Sequence, residues 1–232
     1  MLKLISSMAV RQVLAELTQN WQQATGVAVL IESVGGVDAA KRVQAGETFD
    51  GVVLASDAID KLASDGKVLA GSRVDLLRSS VAIAVKADAP RPDIGTESAL
   101  RCAILAAPSI GYSTGPSGVA LLKLFDRWGV MDALASRIVQ APPGVPVGSL
   151  VARGDVALGF QQLSELIHLE GVDVLGTLPE TVSITTIFSA GTCANSLQGE
   201  VLGDLVAFMA SGDTAAIKRR HGLEPAAIPD AK

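Results

Sequence analysis

The chain is poor in the residues that build metal centres, disulfide frameworks and acid–base sites. It holds two cysteines and two histidines in 232 residues, too few for a disulfide scaffold or a Cys/His metal cluster. Cys102 and Cys193 are expected as two buried thiols, with no metal and no cofactor. Aromatic residues make up 3% of the chain against a hydrophobic content of 49%, so the core must be mostly Ala, Val, Leu and Ile. Basic residues are outnumbered, 19 Lys and Arg against 24 Asp and Glu, for a net charge of −5. That balance provides no general field for nucleic acid or an anionic membrane, and any anion site must be local. No apolar run approaches the roughly 20 residues that span a bilayer, so no membrane insertion is expected. Met1–Ile5 enters the first strand without a long apolar region or a small-residue cleavage site. The expected location is periplasmic if a signal peptide has been removed, and otherwise cytoplasmic. Nucleotide P-loop lysines, HExxH zinc helices and GxSxG elbows are also missing.

What the chain does have is one recurring event. A short apolar strand ends in small or hydroxyl residues and a helix starts at once, at Leu4-Ile5-Ser6-Ser7, Leu30–Gly36, Ile110–Gly118 and Leu158–Ser164. Such a turn leaves backbone N–H groups unpaired at the positive end of a helix, where an anion can be held. Four of them in one chain point to ligand capture.

Periodicity predicts helices over Ala9–Ala24, Ala39–Ala45, Asp57–Ala63 behind a Ser56 cap, Gly118–Trp128 with Val119, Leu122 and Phe125 on one face, Leu150–Arg153, Glu200–Met209 and Ala215–His221. Short β-branched or apolar runs predict strands at Val27–Glu32, Gly51–Leu54, Val81–Val85, Ile110–Tyr112, Ile138–Val139, Val156–Phe160, Val172–Leu175 and Ile184–Phe188. The alternation implies an α/β architecture rich in parallel strands.

The candidate ligand residues sit at the turns. Ser6 and Ser7, with Met8 beside them, are either donors to a ligand or the N-cap of the first helix. Gly35 and Gly36 either let a ligand approach the backbone or supply a positive φ in a tight turn. Ser117, followed by Gly118 at a helix start, is the best single anion donor. Arg78 either clamps a carboxylate bidentately or pairs with an acid such as Asp75. Gly144 and Val145 lie in a proline-braced turn. Gln161 and Gln162 are adjacent on a strand, so only one of them faces a ligand. His168 and His221 lie away from the turns, and Glu165 reads as a first-turn helix carboxylate. A catalytic base, if one is needed, would be Glu32 or Asp38, which flank the glycine turn.

The order of these segments resembles the molybdate-binding branch of the bacterial solute-binding proteins, the type II periplasmic fold. It rests on Ser6-Ser7-Met8, Ala45–Ser56, Leu76–Val85, Tyr112–Gly118, Leu158–Gln162 and Arg219–Leu223, and covers nearly the whole chain. The resemblance implies two lobes joined by crossing strands, residues 1–82 plus 187–232 and residues 83–186, with a ligand in the cleft between them. It implies a monomer that captures a small anionic ligand and hands it to the membrane subunit of an ABC importer. Where molybdate binders offer serines, this chain aligns Ala9, Gly35 and Gly36, and where they offer a tyrosine it aligns Gln162. Fewer hydroxyls and an added amide pair favour a di- or tricarboxylate over molybdate. The branch also resembles an enzyme, aconitate isomerase, so the alternative is a proton-transfer isomerase acting on a polycarboxylate.

Overall fold

A computed structural model describes residues 1–226. The chain divides into two compact units, the first formed by Met1–Arg78 with the described residues from Ile187 onward, the second by Ser79–Thr186. Strand β1 (Leu2–Ser7) opens the first unit. Its alternating side chains face two ways, as a strand in a sheet covered on both faces requires. Leu2 and Leu4 pack with Val10, Val13, Leu14, Leu17 and Trp21, while Ile5 packs with Ala39, Val43, Val52 and Leu54. A short 3-10 turn, Met8–Val10, leads into helix α1 (Arg11–Thr25), so the regular helix starts two residues later than periodicity indicates.

Strand β2 (Val29–Val34) and strand β3 (Gly51–Ala55) flank β1 in parallel, with Ser6 opposite both Ser33 and Val53. Helix α2 (Gly36–Gln44) and helix α3 (Ser56–Ser64) follow them. Two expectations are corrected here. Gly35 has φ −53°, and Gly36 is the first residue of α2, so neither supplies a left-handed turn. Ser56 is the first residue of α3 rather than its cap. The chain then enters β4 (Val74–Lys86), 13 residues long, of which only Val81–Val85 is an obvious apolar run.

The second unit takes the far half of β4. Helix α4 (Glu97–Ala106), which periodicity does not reveal, is capped by Thr96. Strand β5 (Ile110–Tyr112), helix α5 (Pro116–Arg127), the short helix α6 (Met131–Leu134), strand β6 (Ile138–Gln140), helix α7 (Val147–Arg153), strand β7 (Leu158–Gln162), the single-turn α8 (Leu163–Leu166) and strand β8 (Val172–Thr177) follow. Strand β5 pairs in parallel with both β6 and β7, while β7 and β8 run antiparallel to β4. Leu158 and Phe160 point to the α5 face, where Phe125 stacks on Trp128 at 6.2 Å and meets Phe160 edge-on at 5.9 Å, contacts worth about 0.5–1.5 kcal/mol each beyond area burial. Leu121, Leu124 and Phe125 form the buried face of α5, and Val119 is exposed, contrary to the expected stripe. Gly159 faces the other way. A Cβ there would lie 2.4 Å from Val151 Cγ2, so the close approach of α7 to β7 requires glycine.

Strand β9 (Thr185–Thr192) returns the chain to the first unit, where it runs antiparallel to β3. Helix α9 (Gly199–Ala210) and helix α10 (Ala215–Arg220) follow, and strand β10 (Glu224–Pro225) pairs with β4 at Arg78 and Leu77. Of the two cysteines, Cys193 is buried and Cys102 is exposed, so one of the two expected buried thiols is on the surface.

Candidate functional site

In each unit the parallel strands end at one edge of the sheet, and helices begin there. This is the edge at which open α/β sheets bind ligands.

In the first unit, β1 ends in Ser6 and Ser7. The Ser6 and Ser33 hydroxyls hydrogen-bond at 2.9 Å, tying the ends of β1 and β2 together. Ser7 is the N-cap of the 3-10 turn and accepts from the Ala9 N–H at 3.3 Å. Met8 is half-buried beside it. A Cβ on Gly36 would lie 3.5 Å from Ser7 Oγ, so the serine pair and the start of α2 share one corner. The first intrahelical bond of α2 runs from the Ala39 N–H to the Gly35 carbonyl, which leaves the preceding N–H groups without intrahelical partners.

The two candidate bases of this unit do not suit the role. Glu32 is exposed and ion-paired with Arg42, which is itself fixed by Glu47 and lies 5.4 Å over the Phe49 ring. The Arg42 hydrogen bonds hold the Glu32 carboxyl below its ordinary range, which makes it a weak base. Asp38 is an exposed first-turn carboxylate on α2. Arg78 is half-buried, and its Nε–H donates to the Pro225 carbonyl at 3.2 Å. Asp75 pairs instead with Arg73 and accepts from Ser189 at 2.6 Å, so the expected Arg78–Asp75 pair does not form.

In the second unit, strand alternation separates the two glutamines. Gln161 continues the Gly159 face and Gln162 the Phe160 face. The Gln161 Oε1 accepts from the Gly148 N–H at 2.9 Å, and its amide group hydrogen-bonds the Glu165 carboxyl. Both ends of Gln161 are therefore occupied. Gln162 is 4% exposed, and its Nε2 donates to Thr186 Oγ1 at 2.9 Å. Its Oε1 is buried with no partner among the described residues, a condition that costs about 1–3 kcal/mol unless something else fills it. Thr186 can donate or accept, so the Gln162 amide can present either its oxygen or its NH2 to an occupant.

The start of α5 lies at the end of β5, the neighbour of β7. The Ser113 and Ser117 hydroxyls are 3.2 Å apart, and the helix opens with Gly118 and Val119 N–H groups donating to the Gly115 carbonyl. The Ser117 N–H precedes them and has no intrahelical partner. Gly118 is tightly confined, since a Cβ there would sit 1.8 Å from the Ser113 oxygen. At the proline-braced turn, Gly144 has φ 76° and the Val145 N–H donates to the Pro142 carbonyl at 3.0 Å. The Val145 N–H is thereby engaged within its own turn.

Glu165 is the first-turn carboxylate that the sequence indicates, and its burial is what that reading did not show. It lies in the first turn of α8 and is half-buried, and loss of solvent pushes its carboxyl up to about 7 against the opposing pull of Gln161. The flanking Leu163 and Leu166 are the sequence signal for that burial. His168 is exposed, and His221 meets Glu16 at 2.7 Å. Among the described residues no group of His, Cys, Asp and Glu is arranged to hold a metal, and no helix is long and apolar enough to cross a membrane.

Comparison with known proteins agrees with this architecture. The chain is 35% identical over 230 residues to an aconitate isomerase from a Pseudomonas species, covering 97% of this chain and 87% of that one. It superposes on the periplasmic molybdate-binding protein of Azotobacter vinelandii with a TM-score of 0.80, at 21% identity and covering 99% and 100% of the two chains. It also superposes on the sulfate-binding protein of Mycobacterium tuberculosis with a TM-score of 0.80, at 16% identity and covering 97% and 86%. The latter two likenesses show a shared periplasmic-binding-protein fold. The profile of one family spans residues 2–224, nearly all of both units, and the chain belongs to that family, the bacterial extracellular solute-binding proteins.

Proposed function

We propose that this protein captures a small polycarboxylate and interconverts the cis and trans isomers of aconitate by proton transfer. The observation that carries the reading is the 35% identity, across 97% of the chain, to an aconitate isomerase. The chemistry needs donors for several carboxylates, stabilisation of enolate-like charge, and a base. Each unit offers donors of its own: the first has the α2 start beside Ser6 and Ser7 together with Arg78, and the second has the Ser117 end of α5. The open Gln162 amide adds a neutral partner that suits a carboxyl group better than a small tetrahedral oxyanion does. The coarser reading, capture of an organic anion for the membrane subunit of an importer, is favoured by the family itself, whose members are described as extracellular solute-binding proteins. The receptor reading goes with a periplasmic location, and the isomerase reading with the periplasm or the cytoplasm.

Incubation with trans-aconitate in heavy water, followed by proton NMR, tests the choice. Growth of cis-aconitate signals is the expected result, with deuterium in the product as supporting evidence. Saturable binding of di- and tricarboxylates without turnover would leave the receptor reading in place. Tight molybdate binding with no carboxylate response would overturn both.

A further inference from the structure

Glu32 and Asp38 leave the proposed isomerisation without a suitable base, so every other carboxyl has to be considered. Most of those that are not simply solvated are bound to cations: Glu16 to Arg220 and His221, Glu47 to Arg42, Asp75 to Arg73, Asp173 to Arg91. Glu165 differs. It lies one turn past the end of β7, at the edge where the parallel strands of its unit finish, and it is half-buried. What holds its carboxyl is the neutral amide of Gln161, and that amide is fixed at its other end by the Gly148 N–H at 2.9 Å. A carboxyl partly withdrawn from water, oriented by a fixed neutral donor and without a counter-ion among the described residues, matches the usual arrangement of a general base held by a third group.

We propose that Glu165 is the catalytic base that carries the proton between the two carbons of the substrate's allylic system, with Gln161 as its positioning residue. The proposal rests on the isomerase reading above. In the step, the C–H bond of the methylene beside a carboxylate breaks and the proton passes to a Glu165 oxygen. The electron pair spreads over the allylic system into the neighbouring carboxylate. The same carboxyl then returns the proton to the far carbon as the double bond shifts, so the enzyme ends unchanged and no oxidant or reductant is consumed. A single base on one face performs both halves, which predicts that part of the proton is transferred internally.

The surroundings suit a carboxyl that changes state near neutral pH. Strand β7 carries no titratable side chain, and Asp173 on β8 is paired with Arg91. On α7, Arg153 is paired with Asp155. On β4, Lys86 lies at the far end beside Gly154. His168 follows α8 and is exposed. Burial and Gln161 therefore govern Glu165, whose carboxyl lies at about 7.

The test compares wild type, Glu165→Gln and Glu165→Asp for trans-aconitate binding by calorimetry and for isomerisation by NMR. Glu165→Gln is expected to lose at least 1000-fold in kcat while Kd stays within about fivefold. Glu165→Asp keeps the carboxyl one methylene short and is expected to retain measurable turnover. In wild type, kcat/KM is expected to fall as pH drops below about 7, because the base must be ionised, and that acid limb should shift in Gln161→Leu. An active wild type whose Glu165→Gln variant keeps kcat within threefold overturns the assignment alone. If Glu165→Gln does not fold, an active wild type with no acid limb between pH 5 and 8 overturns it instead. A wild type that binds without turnover overturns the isomerase reading, and the base assignment with it.

Discussion

Glu165 also has a cost that can be measured without any ligand. Its carboxyl ionises at about 7 in the folded chain, whereas an exposed glutamate ionises near 4.3. Between those values the folded state binds more protons than the unfolded one. This group therefore makes stability fall as pH rises through that window, and the loss is complete above it. Glu165→Gln removes the cost, so the variant is expected to gain on wild type by on the order of 2 kcal/mol at pH 8, after allowance for partial solvent screening, and by much less at pH 4.5. Urea unfolding of both proteins at both pH values checks this, and an equal difference at the two pH values would show that Glu165 is solvated. Taking the difference isolates Glu165 from Glu16 and Asp75, which are held below the usual range and act in the opposite sense. The sequence indicated that Glu165 begins a helix, but not that Gln161 turns toward it. That depends on strand phase, which sends Gln161 to the α7 face and Gln162 to the α5 face, and on the Gly148 contact 13 residues away.

At the scale of elements, the β-to-α turns were legible because apolar strands ending in Ser or Gly are a local signal. Registers were not. Strand β2 occupies Val29–Val34, two residues later than its apolar run suggests, because Glu32 and Ser33 pair with Ile5 and Ser6 of β1. Strand β4 was visible only where Val81–Val85 is continuously apolar, since Arg78, Ser79 and Ser80 interrupt it. Helix α4 buries only Leu100 and Ile104, too few for a clear period. The turn into α5 can be tested directly. Gly118→Ala would push a Cβ into the Ser113 carbonyl, so it is expected to destabilise the protein by about 2–4 kcal/mol and to displace the Ser117 N–H. Gly115→Ala meets nothing within 4 Å and has ordinary φ −81°, so it is expected to change stability by less than about 0.5 kcal/mol. Equilibrium unfolding of the two variants separates a steric requirement at Gly118 from a general need for glycine in this turn.

For the whole molecule, the order of the turns carried the family, because each is part of the framework on which the fold is built. The ligand was less legible, because it depends on which donors remain free after folding. Many of the hydroxyls available at the strand ends are already engaged: Ser6 with Ser33, Ser7 with the Ala9 N–H, Ser113 with Ser117. Molybdate is small and fully ionised and needs a dense shell of such donors, whereas a tricarboxylate spreads its charge over three groups and can use more widely spaced ones. Ligand that binds only the folded state stabilises it by about 2.7 kcal/mol at a hundredfold excess over Kd, which for a chain of this size corresponds to a rise in Tm of roughly 5–10 °C. Trans-aconitate at that excess is expected to give such a rise, and molybdate at the same concentration less than about 1 °C. Thermal unfolding with each anion, and with Arg78→Ala in parallel, measures both. A larger shift with molybdate would mean that the hydroxyl pairs at the strand ends open to receive an oxyanion, and the polycarboxylate assignment would fail.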